Sequence, residues 1–346
     1  MFSAICLSNS QPSSPNFKFG LELKQFPEIK PKSNETTIQV LAASLNHRDV
    51  YIMKDQFMGV TTGGIIWSDA VGLVTQCGDN SFQSGDRVLI NPGRGWINDA
   101  EGPENPFSML GLNPCTGVAA EKVLVETDEV FRCPDHLSDE EAAALPLAGL
   151  TAYRLNSAVF SKCGVKQGDN VLVTGIGGGV ALFALQFAVA AGANVYVTSS
   201  SSEKINKAIT MGAKGGVNYK NKGCIEQLKQ LLNGGLIRAV IDGAGGALYG
   251  QYPSVMKQGG IIANYGQTSN EPITFSMYQV AQNIELRGST MGSRCEFKNM
   301  IKFVDKYKIK PVVSMVFKGL SVDSVQKAVN LMESSSQFGK IVLVVG

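Results

Sequence analysis

Between Asn170 and Lys204 the apolar and polar positions fall into three successive patterns. Val171–Val173 is a short, unbroken apolar run of the kind that forms a buried parallel strand. Glycines follow at 175, 177, 178 and 179, and Val180–Ala191 is then an Ala- and Leu-rich helical stretch closed by Gly192. Asn194–Thr198 reads as a second strand, so the segment is a βαβ unit. The alternation continues with helices at Lys204–Met211, Ile225–Leu232 and Leu248–Met256, and with strands at Gly216–Tyr219, Ala239–Asp242 and Gly260–Tyr265. Such a pattern predicts a doubly wound parallel sheet with helices on both faces and ligands at the carboxyl ends of its strands. Ser199, Asp242, Gly243, Tyr265 and Gly266 then share one rim.

The flanks carry a different period. Residues 1 to about 35 read as a strand pair, and Thr37–Ala42, Asp69–Thr75, Asp86–Ile90 and Gly117–Val125 read as further strands of a small, barrel-like β-domain. Asn46, His47, Arg48 and Asp49 stand together where an apolar helix begins, with Tyr51 just beyond. Two readings stay open for them: an N-cap with its first turn, or a polar site. Residues 91–117 form a Gly- and Pro-rich loop carrying Trp96, Phe107 and Met109, long enough to be a functional wall or lid. Ser138 and Glu141 form a capping box ahead of an apolar helix that Pro146 kinks. After Ile284 a helix to Tyr307, a strand at Pro311–Phe317, a helix at Val322–Met332 and a strand at Ile341–Val345 close the chain.

Composition narrows the function classes. A chain of 346 residues, 44% hydrophobic, suits two domains. Its net charge of +2, with no Lys/Arg run, argues against a nucleic-acid partner. The longest apolar stretch, Val171–Val197, is interrupted by glycines, so no membrane span is expected. The N-terminus lacks a basic leader and a small-residue cleavage site. Cys6, Cys77, Cys115, Cys133, Cys163, Cys224 and Cys295 stand singly, as free thiols do in a reducing, cytoplasmic compartment. They provide no close pairs for a four-cysteine zinc site, and His47 and His136 are too few for a His-rich one, so no metal is expected.

The glycine turn has a chemical reading. A dinucleotide pyrophosphate rests on bare backbone N–H groups at a helix N-terminus, where side chains would keep it away. Gly175 and Gly177 fit the first two positions of G-x-G-x-x-G; Val180 holds the third, with Gly178 and Gly179 before it. An NAD site places a carboxylate at the end of the second strand, for the ribose hydroxyls. Here Ser199, Ser200, Ser201 and Ser202 stand there, with Glu203 already in the next helix and Lys204 after it. Hydroxyls and an ammonium suit a 2′-phosphate and point to NADPH. The serines also suit a helix cap, and both roles can hold together.

A β-domain first, a nucleotide domain inserted and a return at the C-terminus resembles the medium-chain dehydrogenase/reductase superfamily. The motifs LNHRDVYIMK, DAVGLV, GDRVLI, LPLAGLTAYRL, VLVTGIGGGVALFALQFA, GAKGGVNY and LRGSTMGSR carry the resemblance over essentially the whole chain. They are most similar to its zinc-independent quinone oxidoreductase and zinc-type alcohol dehydrogenase-like branch. The resemblance implies a GroES-like catalytic domain at 1–126 and 290–346, a Rossmann NADPH-binding domain at 127–289, a cleft between them, and a homodimer formed through the nucleotide sheet. Zinc alcohol dehydrogenases carry Cys where Asn46 stands and G-H-E where Trp67-Ser68-Asp69 stands, and the four-cysteine lobe is missing, so catalytic zinc is not expected.

By the same resemblance Ser199 or Ser200, Lys204 and Tyr219 hold the 2′-phosphate, and Gly175 to Val180 (with Gly177, Gly178 and Gly179) the pyrophosphate. Tyr265, Gly266 and Thr151 lie toward the nicotinamide. Arg294 is a phosphate or ribose contact, or else a surface arginine near a helix start. Asn46 and Tyr51 face the substrate, and Asp49 holds the loop. The implied activity is hydride transfer from NADPH to a small quinone, enone or aldehyde. Alcohol dehydrogenase-like chemistry and a non-enzymatic NADPH-binding role are the alternatives.

Overall fold

β1 (Phe2–Ser8) and β2 (Gly20–Phe26) pair antiparallel, with Phe2 opposite Phe26 and their rings stacked at 5.6 Å. These belong to a computed structural model that describes every residue except Ser13, Cys163 and Asn270. The chain forms two compact units, Met1–Leu150 with Gly292–Gly346, and Thr151–Met291.

In the first unit the chain runs through β3 (Glu35–Ser44), α1 (His47–Met53), β4 (Asp69–Cys77), β5 (Arg87–Ile90), β6 (Gly93–Arg94), β7 (Ser108–Met109), β8 (Lys122–Glu126) and β9 (Val130–Arg132), then α2 (Asp139–Ala144) and the start of α3 (Pro146–Ser157). Apolar alternation drives β3 and β4 together, and Ile38, Trp67, Val88, Ile90, Val329 and Leu343 are wholly excluded from solvent beneath the sheet. The expected strand at Gly117 begins only at Lys122. Gly117 lies so close to the Ile65 and Ile66 carbonyls that a side chain would strike them, and Val118 and Ala119 spend their N–H groups on Ile66 instead of a ladder. Pro146 divides the expected helix into α2 and α3, because it lacks an N–H to continue the ladder.

The second unit contains β10 (Asn170–Val173), α4 (Gly179–Ala190), β11 (Asn194–Ser199), α5 (Ser202–Thr210), β12 (Gly215–Asn218), α6 (Cys224–Leu232), β13 (Ile237–Asp242), β14 (Met256–Asn264), α7 (Met277–Ala281) and β15 (Glu285–Gly288). All its strand pairs are parallel, in the order β12-β11-β10-β13-β14-β15, the doubly wound arrangement expected from the sequence. α4 is apolar on every side and is buried accordingly. One expected helix is absent: Leu248–Met256 forms two 3-10 turns, Ala247–Gly250 and Tyr252–Ser254, and β14 already starts at Met256. The tighter turns place Tyr249 and Tyr252, three residues apart, on one buried side, and Pro253 could not serve a helix interior.

The chain returns to the first unit through α8 (Arg294–Tyr307), β16 (Val313–Lys318), α9 (Val322–Glu333) and β17 (Lys340–Val344), which pairs with both β16 and β3. That unit also takes in residues 127–150, which the sequence-based boundary gave to the nucleotide domain. The reason is packing: α2 lies on β3, β4 and β17, and the Ala143 carbonyl accepts the Ser44 hydroxyl at 2.9 Å. Among the described residues no helix is long and apolar enough to cross a membrane. The six described cysteines are free thiols; Cys163 lies outside the described residues.

Candidate functional site

Each unit carries one concentration of site residues. In the second, β10 ends at Val173 and the chain turns through Gly175 at φ +64° and Gly177 at φ +121°, values that side chains rarely adopt. Gly178 is the N-cap of α4, and the first N–H groups of this twelve-residue helix have no intrahelical acceptor. A side chain at Gly175 or Gly178 would approach other atoms no closer than 3.8 Å, so the hollow above them is open. At Gly177 a side chain would meet Lys204, whose Cδ lies 2.9 Å from the site of the missing Cβ. The turn is anchored from below by Ile176 N–H on the Thr198 carbonyl (2.8 Å) and Gly175 N–H on the Thr198 hydroxyl (3.3 Å). This bare cradle fits a dinucleotide pyrophosphate.

The end of β11 borders the same turn. Ser199 is buried and donates its hydroxyl to the Ile176 carbonyl at 3.3 Å, while Ser200 is exposed. Ser201 caps α5 by accepting from Lys204 N–H, and its own N–H donates to the Ser199 hydroxyl at 3.3 Å, which leaves Ser200 and Ser202 as the exposed serines. Burial depresses the Lys204 ammonium below its ordinary value, with Glu203 opposing and Lys207 reinforcing the shift. Tyr219 is exposed just past β12, its N–H on the Ser199 carbonyl at 3.0 Å. Tyr265 packs its ring against Gly243, and Gly266 follows at the end of β14. Thr151 is buried in α3. Ser199 and Lys204 therefore border the turn at Ile176 and Gly177, and the Tyr219 backbone adjoins Ser199.

In the first unit the polar cluster at the start of α1 is a cap and more. The Asp49 carboxylate accepts from Asn46 N–H at 2.7 Å, the returning half of a capping box. Burial raises Asp49 above the usual carboxylate range, against the lowering pull of Arg48. The Asn46 amide turns inward. Its Nδ2 donates to Asp69 Oδ2 at 3.0 Å and reaches Ser68 Oγ at 3.4 Å, and its Oδ1 accepts from Lys340 Nζ at 2.6 Å. Lys340 also donates to the Leu45 carbonyl at 2.8 Å and to Asp69 Oδ2 at 3.1 Å. Asp69 and Ser68 are 0% exposed, and Lys340 is 3% exposed.

This arrangement uses both ends of the Asn46 amide within the cluster, where it organises the start of α1. It also bears on zinc. A carboxamide, a hydroxyl and one carboxylate that already holds an ammonium are a poor donor set for that ion, which is best held by thiolate and imidazole. The residues here do not fit a catalytic zinc. Lys340 was missed in the sequence, where it reads only as a charge before the apolar run Ile341–Val345.

Two other expected residues are placed differently from one another. Tyr51 is half-buried, its ring edge-on to His47 at 5.1 Å, one turn along the same face of α1. Burial depresses the His47 imidazole below its ordinary value, with Lys54 reinforcing the shift. Arg294 is held by carboxylates: Nε and Nη2 meet Glu129 Oε1 at 2.9 and 2.7 Å, and Nη1 meets Asp128 at 3.1 Å. These ion pairs tie α8 to the segment before β9.

Comparison with known proteins finds matches in both parts of the chain. Residues 32–135 match the alcohol dehydrogenase GroES-like domain, and residues 179–306 match the zinc-binding dehydrogenase family. The chain is 40% identical over 341 residues to the zinc-type alcohol dehydrogenase-like protein YogA of Leptosphaeria maculans, spanning 94% of each. It is 27% identical over 354 residues to a crotonyl-CoA reductase of Streptomyces avermitilis, spanning 89% of this chain and 78% of that one. A solved NAD-dependent alcohol dehydrogenase, 30% identical, superposes over the full length of both chains with a TM-score of 0.85.

Proposed function

Since the chain belongs to the medium-chain dehydrogenase/reductase superfamily and is an NAD(P)-dependent oxidoreductase, we propose that it is a zinc-independent NADPH reductase acting on a quinone or an α,β-unsaturated carbonyl. NADPH, when bound, supplies a hydride from its nicotinamide. The bare turn at Gly175–Gly179 seats the pyrophosphate, and Ser199, Ser200, Lys204 and Tyr219 meet the 2′-phosphate. Tyr51 offers a hydroxyl as proton donor, with water as the other source.

The observation that carries the choice of acceptor is the Lys340 ammonium bonded to both Asn46 and Asp69. Without a Lewis acid, oxidation of a simple alcohol loses one stabiliser of its alkoxide. An already electrophilic carbonyl needs less, so proximity and orientation suffice. Similarity to a protein named for reducing crotonyl-CoA, a conjugated thioester, supports the same acceptor class. The reading extends to a homodimer along β15. That strand is the edge of its sheet, and Leu286, Tyr278 and Val280 are exposed on or beside it.

The test mixes purified protein with NADPH and 9,10-phenanthrenequinone or an enone and follows absorbance at 340 nm. Turnover should be unchanged by a chelator, and the Lys204→Ala variant should weaken NADPH about tenfold while leaving NADH nearly unaffected. No oxidation of NADPH across a broad acceptor panel would defeat the proposal. The similarity to an alcohol dehydrogenase favours a second reading, oxidation of an alcohol by a zinc-free or weakly metal-bound enzyme. One zinc per chain, lost with activity on chelation, would favour its metal-bound form.

A further inference from the structure

Asp242 ends β13 in the middle of the six-stranded sheet and is 0% exposed. Its Oδ1 accepts from the Thr174 hydroxyl at 2.6 Å. Its Oδ2 accepts from Gly245 N–H at 2.9 Å, the Tyr249 hydroxyl at 3.0 Å and Asn264 Nδ2 at 3.0 Å. All four donors are neutral. A buried carboxylate held only by dipoles is costly to keep, and it lies at the edge of a core that includes Leu172, Val240 and Ile262.

The donors are not scattered. Thr174 immediately precedes Gly175, Gly245 lies in the turn after β13, and Asn264 immediately precedes Tyr265. They come from the carboxyl ends of three adjacent strands, β10, β13 and β14. The backbone repeats the connection: Tyr265 N–H donates to the Asp242 carbonyl at 2.9 Å, and Gly243 N–H to the Thr174 hydroxyl at 3.3 Å. Asn264 Nδ2 also reaches the Gly266 carbonyl and the Tyr249 hydroxyl, each at 2.9 Å. The glycine turn and the Tyr265–Gly266 segment are thus tied to one carboxylate. Ser199, Lys204 and Tyr219 lie on the other side of β10 and make none of these bonds.

We propose that Asp242 is the positioning residue of the cofactor site, holding the pyrophosphate turn and the Tyr265–Gly266 segment at the separation a whole dinucleotide spans. The inference rests on the NADPH reading of the second unit. It separates two parts of the ligand: the 2′-phosphate end depends on β11 and α5 without Asp242, and the part beyond the ribose depends on Asp242 as well as on the β11 anchors of the glycine turn.

The experiment measures NADPH and 2′-AMP affinities for the full chain by calorimetry, in wild type, Asp242→Asn and Tyr249→Phe, with melting temperatures alongside. Asp242→Asn should weaken NADPH about tenfold or more and change 2′-AMP by no more than about twofold. Tyr249→Phe, which removes one donor and keeps the carboxylate, should show the same split at smaller size. Equal loss of both ligands would mean general loosening of the unit and would overturn the inference, as would unchanged NADPH affinity. If Asp242→Asn does not fold, Tyr249→Phe and Thr174→Val decide the matter by the same split. Failure of the wild type to bind NADPH would remove the proposed function itself, and this inference with it. Binding by the wild type without a split in the variants would remove this inference alone.

Discussion

Lys340 shows how much one side chain can organise. Its ammonium places three hydrogen bonds on Leu45, Asn46 and Asp69, and it neutralises a carboxylate that has no access to water. Pairs of this kind add little over an apolar core, but removing one partner strands the other. Lys340→Met should therefore lower unfolding free energy by about 3–5 kcal/mol in urea titrations. Lys340→Met combined with Asp69→Asn should recover much of that loss, because no charge is then left buried. A single variant as stable as wild type would contradict this account. Trp67, just before Ser68 and Asp69, adds to the cost of building the cluster: it is fully buried at φ +68°, a conformation that bulky residues avoid.

Among the elements, the segment after β6 behaves as a built structure although its composition reads as a loop. Glu104 accepts from the N–H groups of Ile97, Asn98 and Asp99, and these bonds hold its carboxyl down to about 2. The Trp96 indole donates to the Asp99 carbonyl at 2.7 Å. The Trp96 and Ile97 carbonyls accept from Arg294 and Cys295 N–H, satisfying groups that the first turn of α8 leaves unpaired. A carboxyl depressed on folding contributes order that is complete above its ordinary value of 4.5 and is lost as pH falls through about 2. Tryptophan emission should accordingly shift on acidification across that window. Glu104→Gln, which cannot be ionised, should show the shifted emission already at pH 7, and an unaltered pH 7 spectrum would refute the assignment.

For the whole molecule, the exposed edge of the second unit's sheet is the feature with the largest consequence. β15 pairs only with β14 among the described residues, and Met277, Tyr278, Val280 and Leu286 are exposed on or next to it. An open, apolar-flanked edge invites pairing with another strand. A second copy of the chain would extend the sheet across a twofold axis. Analytical ultracentrifugation should find twice the chain mass for wild type, and Leu286→Arg with Val280→Glu should move it toward the monomer without changing NADPH affinity. A wild-type monomer at micromolar concentration would exclude the dimer.

The sequence by itself determined the parts whose cause is local. The strand–turn–helix–strand at Asn170–Ser199 was legible because a buried strand, a glycine run and an apolar helix each leave a periodic signature within a few residues. The Ser138–Glu141 and Asn46–Asp49 caps were legible for the same reason, since both partners lie within one turn. The tertiary structure alone decided where charges end up. Lys340 reaches Leu45 across 295 positions, Arg294 reaches Glu129 across 165, and Thr174 reaches Asp242 across 68. No periodicity records such pairings, because the hydrogen bonds that fix them exist only after β17, α8 and β13 have been brought beside their partners by the burial of apolar surface.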